Sequence, residues 1–372
     1  MNFNLLPSLQ QAAIVRIASL LYYDYEIENL TESIPQISDL FSPSRMGAAS
    51  THEQWKEVEM KAVEKLSPFL PSLLRKRVAK VIRPMHDEVH RWKSEHNIFL
   101  EQYGARCLLC RRCILLYLRW KTDGTIDRTE TAKEIVANDS IDPKLRFIMA
   151  CTYFLEDEIL ALWEEIEEVD KNMLDSEGTN SSVRFWMKWL QNKDINHWSE
   201  RIDEFFTYRR AYPTDIPNRA SCFYHWLSSE SKQMYIAFTN TRRVHADNFQ
   251  MCLNGMEEIE RLEIFRNEAE RPLLLCLRWP FRSLFTKFAK ELVSFLTADR
   301  FISLLRAMLV SYVNYGFEDF HLLEEFWEMS PDALKGEAKK SLIMWTEWFL
   351  PMIFPRQNRL ALEEVVRRCN LC

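Results

Sequence analysis

Glycine is almost missing from this chain: seven residues in 372. At the usual ~7% a chain this long would carry roughly 25. Glycine supplies the positive-φ positions of tight hairpins and phosphate-cradling loops. Its scarcity disfavours sheet-rich folds and Rossmann-type enzymes. Consistent with that, the chain has no G-x-G-x-x-G and no G-x-x-x-x-G-K-[ST]. It also lacks the G-x-S-x-G of a nucleophile elbow and the H-E-x-x-H of a zinc protease. No run of 18 apolar residues occurs; "SLIMWTEWFLPMIF" is interrupted by Glu347 and Pro351, so no transmembrane span is expected. The opening "MNFNLLPSLQQAAIVR" lacks a basic n-region and a long apolar h-region, so no secretory leader is expected either. Charge of one sign is not in large excess. The net charge is −6, which disfavours nucleic acid as a partner on bulk electrostatics.

What remains is ample material for a helical core. Hydrophobic residues make up 47% and aromatics 13%. Apolar residues recur at helical spacing almost everywhere, and strand-like alternation is nowhere sustained. The expected fold is all-α: a helical-repeat-like array or an irregular multi-helix bundle of about 15 helices, by the spacing rules. We divide the chain into an N-terminal helical region, 1–125, and a second helical region, 126–372. Ser8 is a suitable N-cap for a helix over 8–22, with Leu9, Ala13, Ile17 and Leu20 on one face. Separate helices are expected over 69–82 and 84–103, and one long helix over 241–263. "KTDGTIDRTET" at 121–131 is expected as a turn or linker.

Residues 145–190 and 305–350 echo one another at a 160-residue offset. Each begins with Leu-Arg and carries an acidic pair, Glu156-Asp157 or Glu318-Asp319. Each then has a tryptophan, Trp163 or Trp327, and ends in S-x-x-x-W-x-x-W. The closing tryptophans are Trp186 and Trp189, then Trp345 and Trp348. Self-similarity at a fixed offset is what stacked helical units produce. Indoles three apart share one helix face and form a large apolar ridge. The acidic runs "EDEILALWEEIEE" and "EDFHLLEEFWE" are solvated faces on the simplest reading; functionally they would dock a basic partner.

Nine cysteines, an odd number, sit mostly in apolar helical patterns and read as reduced thiols of a cytoplasmic protein. "CLLCRRC" places Cys107, Cys110 and Cys113 in the apolar arc of a helix. From the first to the third the helix rises about 9 Å at ~1.5 Å per residue. Zinc needs its sulfurs under about 4 Å apart. These cysteines are therefore expected as small core hydrophobes. His86 and His90 have the i, i+4 spacing of two metal ligands, but no third ligand is selected. They are expected as surface histidines near a helix start, and no metal or cofactor is expected. "VVRRCNLC" matches the length of a prenylation box at Cys369, yet Asn370 and Cys372 fit its other positions poorly, so lipidation is disfavoured. "RKRVAKVIR" at 75–83 is a basic helical segment, read as a solvated face that balances the acidic helices; functionally it would bind nucleic acid or phospholipid heads.

Two resemblances follow from short motifs. Leu6-Pro7 with Ile14 resembles the start of an F-box. Ser8-Leu9, Ala13 and Ile17 resemble an elongin-binding box, with alanine where cysteine is commoner. Either implies a ubiquitin-ligase substrate adaptor. "LRFIMACTYFLEDEILALW" is similar to helices in uncharacterised, expanded arthropod families of all-helical proteins; without an ankyrin T-P-L-H signature no function comes with it. The leading expectation is a non-enzymatic protein–protein interaction or scaffold protein with a protein partner. Its candidate partner-binding residues are Leu9, Ala13, Ile17, Trp186, Trp189, Trp345 and Trp348. The alternatives are the ligase adaptor and an enzyme with a pocket inside the helical fold. No catalytic residue is selected.

Overall fold

The structure is a computed structural model. It describes residues 7–34, 48–102, 116–174, 180–192, 197–208, 219–238, 246–315 and 320–348. Among these the fold is all-α: 18 α-helices, a few 3₁₀ turns and no sheet. One isolated antiparallel bridge joins Trp120 to Ile126.

Helix α1 spans Leu9–Tyr22 and begins as its sequence demands. The Ser8 hydroxyl accepts from the Gln11 backbone N–H, and the Gln11 side chain accepts from the Ser8 N–H. After α2 (Tyr25–Glu32) and α3 (Ala48–Lys65) comes α4, one unbroken helix over Ser72–Gln102. It replaces the two helices expected around Pro84. Proline removes one N–H and crowds the preceding turn. Here Met85, Val89 and Trp92 follow it into the core on the stripe begun by Val78 and Ile82. That burial carries the helix through. α4 is the spine of the N-terminal part: α1 and α3 both pack on it, and α2 packs on α3.

Residues 121–131 hold a turn and the start of a helix, α5 (Arg128–Val136). The turn closes at Gly124, whose φ of +90° suits glycine alone. Asp127 caps α5 by accepting from the Glu130 N–H. α6 (Pro143–Tyr153) then anchors the middle of the chain, with α5, α7 (Glu156–Glu165) and α9 (Ser181–Asn192) packed on it. The short α8 (Glu168–Leu174) lies against α9. Further on, α10 (Ser199–Tyr208), α11 (Ser229–Phe238) and α12 (Ala246–Asn254) precede α13 (Glu258–Asn267). The single helix expected over 241–263 is thus two. Gly255 ends the first, its N–H shared between the Met251 and Cys252 carbonyls, and the Glu260 side chain caps the Glu257 N–H of the second. α14 (Glu270–Cys276), α15 (Phe285–Leu292), α16 (Ala298–Tyr315), α17 (Phe320–Met329) and α18 (Asp332–Trp348) complete the set. α14, α17 and α18 pack on α16, which also meets α3. One buried apolar cluster runs from Tyr22 to Ala338.

Candidate functional site

Helix α1 presents its apolar stripe to solvent. Leu9 is 92% exposed, Leu20 61%, and Ala13 lies between them. Ile17, at the edge of the stripe, is half-buried against a small second cluster with Leu66, Val78 and Met85. The buried face is instead Val15, Ala18, Ser19 and Tyr22. The surface continues onto α4, because Arg77 reaches across to the Gln10 side chain at 3.3 Å. There Phe69, on the turn before α4, is 78% exposed and Leu73, on its first turn, 64%. Lys76, Arg77 and Lys80 are exposed beside them. At the far end of α1 the Trp120 indole donates to the Tyr23 hydroxyl at 3.1 Å. Burial pushes the Tyr23 phenol above its ordinary range, and the Trp120 bond partly offsets this.

Beneath this surface the long helix carries a buried polar stripe. His86 and His90 are not surface histidines at a helix start; they sit mid-helix, with His86 buried and His90 half-buried. His86 Nδ1 shares a hydrogen bond of 3.2 Å with the Tyr22 hydroxyl, and its ring meets Trp55 and His90 edge to face. One turn and a half further, His96 stacks on Trp92 and bonds the Tyr153 hydroxyl at 2.8 Å. Between them the buried Glu88 carboxylate accepts from Arg128 at 2.7 Å, and Glu95 accepts from the same guanidinium at 3.1 Å. Arg128 is fully buried. A charge in such a place requires partners on every side, and here α4 supplies two carboxylates to hold the start of α5. This set fastens α1, α5 and α6 to α4. Among the described residues no group of three or more His, Cys, Asp or Glu side chains could hold a metal ion.

No protein-family model, curated protein or solved structure matches this chain. The assignment of the surfaces therefore rests on their own chemistry.

Trp186 is a correction to the expected partner-binding set. It is fully buried, ringed by Phe154, Phe185, Trp189 and Trp198 at centroid distances of 5.2–5.7 Å. An indole is the largest apolar side chain available, and the core takes it. Trp189 is half-buried against the same cluster. The side chains of Trp345 and Trp348 lie outside the described residues. So do Cys107, Cys110, Cys113, the Glu318-Asp319 pair and the terminal Cys369. So does Cys372. The described cysteines, Cys151, Cys222, Cys252 and Cys276, form no disulfide. Burial pushes the Cys276 thiol up to about 12.

The acidic helix α7 and the residues after it form a second surface. Asp157, Glu164, Glu165, Glu167 and Glu168 are exposed, with Leu160 and Val169 exposed among them. Near α2 and α3 an open groove of about 490 Å³ is lined by Glu26, Asn29, Glu57, Met60, Lys61 and Glu64, among others. Ion pairs cross it and its rim. Lys65 pairs with Asp24 and Glu26, and Lys61 with Glu26 and Glu64. The hydrogen bonds from Lys65 and then Lys61 hold Glu26 below the usual carboxylate range.

Proposed function

We propose that this chain is a non-enzymatic scaffold that binds a basic segment of a protein partner on the acidic surface of α7 and α8. One observation carries the reading: five exposed carboxylates interleaved with the exposed apolar side chains Leu160 and Val169. Charge gives such a surface long-range attraction, and the apolar positions give it contact area. Further support comes from the ionisable groups of the α4 stripe. Its contacts to Tyr22, Arg128 and Tyr153 fasten α4 to three other helices, as Arg128 does with Glu88 and Glu95. The repeat reading is supported by a shared packing pattern, since α7 and α9 both rest on α6, and α17 and α18 both rest on α16. The four described cysteines form no disulfide, which agrees with a reducing, cytoplasmic setting.

A second reading, the ligase adaptor, is supported by the exposure of Leu9 and Ala13, which a docking box requires, although Ile17 is half-covered.

Affinity capture from native extract with mass spectrometry tests both. Wild-type chain is compared with Glu164→Lys/Glu167→Lys and with Leu9→Glu/Ala13→Glu. The scaffold reading expects a basic protein enriched by wild type and lost from the first variant only. Ligase subunits lost from the second variant only would favour the adaptor. Identical captures from wild type and the acidic-surface variant would overturn the scaffold reading.

A further inference from the structure

We infer that the face built by α1, the turn at 66–71 and the first half of α4 rests on an anionic phospholipid bilayer. The inference goes beyond the scaffold reading and uses none of its acidic-surface residues.

The chain as a whole is net negative, yet no carboxylate occurs from Met1 to Tyr23 or from Leu66 to His86. Over the same two stretches lie Arg16, Arg75, Lys76, Arg77, Lys80 and Arg83. The packing of α1 on α4, and the Arg77–Gln10 contact, bring the two acid-free stretches into one surface. The first acids beyond its borders are Asp24, Glu64 and Asp87; of these, Asp24 is engaged by Lys65 and Glu64 by Lys61.

The apolar side chains then decide between anionic partners. Phe69, Leu73, Leu9 and Leu20 range from 61% to 92% exposed. Residues lining a groove for a helical peptide would be largely walled in by their neighbours. These protrude, and Phe69 does so from a turn between two helices. Protruding apolar side chains next to cations match the boundary between lipid headgroups and acyl chains, where the ring enters the apolar layer and the cations stay with the phosphates. Nucleic acid would engage the cations and leave the leucines in water. No described helix is long and apolar enough to cross a membrane, so the contact is peripheral.

The test is co-sedimentation of the full chain with vesicles of phosphatidylcholine alone or with added phosphatidylserine. Binding is expected to the phosphatidylserine vesicles only, and to fall as salt shortens the reach of the headgroup charge. Each cation near such a surface contributes about a 5-fold factor in binding. Lys76→Glu/Lys80→Glu, both at exposed positions, should therefore weaken binding by roughly 25-fold or more. Phe69→Glu should weaken it as well, while Glu164→Lys/Glu167→Lys should not. Circular dichroism checks that the variants remain helical; for a variant that does not, the salt response of wild type decides instead. The inference is overturned if wild type stays in the supernatant, or if it binds both vesicle types equally. It is also overturned if binding ignores salt, or if the folded Lys76→Glu/Lys80→Glu variant binds like wild type. Loss of a captured protein from that variant, with no vesicle binding by wild type, would give this face to a protein partner.

Discussion

Phe154 holds a backbone conformation that bulky residues avoid. Its φ of 54° and ψ of 44° end helix α6 in the left-handed region. That conformation costs a non-glycine residue about 1–3 kcal/mol. The ring compensates, because it packs on Phe185, Trp186, Trp198 and Phe223 at centroid distances from 4.8 to 5.9 Å. Removing a fully buried phenylalanine typically costs about 3–5 kcal/mol, and this half-buried ring falls toward the lower end. Packing wins, so Phe154→Gly should lower stability in urea unfolding by roughly 2 kcal/mol despite relieving the backbone. An increase in stability would show that strain dominates. Cys276 makes a prediction in pH. Burial raises its thiol from 9.0 to about 12, so folding favours the protonated form. Its contribution is complete below about pH 9 and is lost as pH rises toward about 12. Between pH 9 and 10.5 the loss should approach about 2 kcal/mol. Cys276→Ala should show a correspondingly shallower alkaline decline in its urea midpoint, and an unchanged decline would contradict the assignment.

At the scale of elements, α4 explains most of what the sequence left open. Its apolar stripe was legible on both sides of Pro84, but whether tertiary burial outweighs one missing hydrogen bond is not written in local spacing. Its histidines show the same limit: i, i+4 spacing says they share a face, not that Tyr22 and Tyr153 come from other helices to meet that face. α5 is legible in principle from Asp127 and Glu130, an N-cap and an acidic first turn, but the glycine turn just before it gives the stronger local signal. The element-scale prediction concerns the junction of α4 and α5. Arg128→Met leaves the buried Glu88 without this partner and should cost about 3–5 kcal/mol. Adding Glu88→Gln should recover part of that loss, because the uncompensated charge goes with it. A double-mutant cycle in urea measures the coupling; strictly additive losses would deny that the pair acts as one unit.

Across the whole molecule, the all-α class followed from scarce glycine and helical periodicity, and the structure bears it out. The orientation of α1 did not follow, since apolar residues occur nearly all round that helix. Leu9 and Leu20 match a core stripe as well as Val15 and Tyr22 do, and only the position of α4 selects the second set. Trp186 fails in the opposite sense, as a ridge that is legible in sequence but claimed by the core. What emerges is a frame with unlike surfaces, one basic and apolar at α1 and α4, one acidic and apolar at α7 and α8. The acidic surface is the one we propose holds a protein. Cross-linking in native extract before capture, with lysine-reactive reagent and mass spectrometry, locates that contact directly. Partner cross-links should concentrate at Lys144 and Lys171, the lysines that pair with Asp170 and Glu168 beside the acidic surface. Partner cross-links confined to Lys335, Lys339 and Lys340 on α18, with none at Lys144 or Lys171, would contradict it.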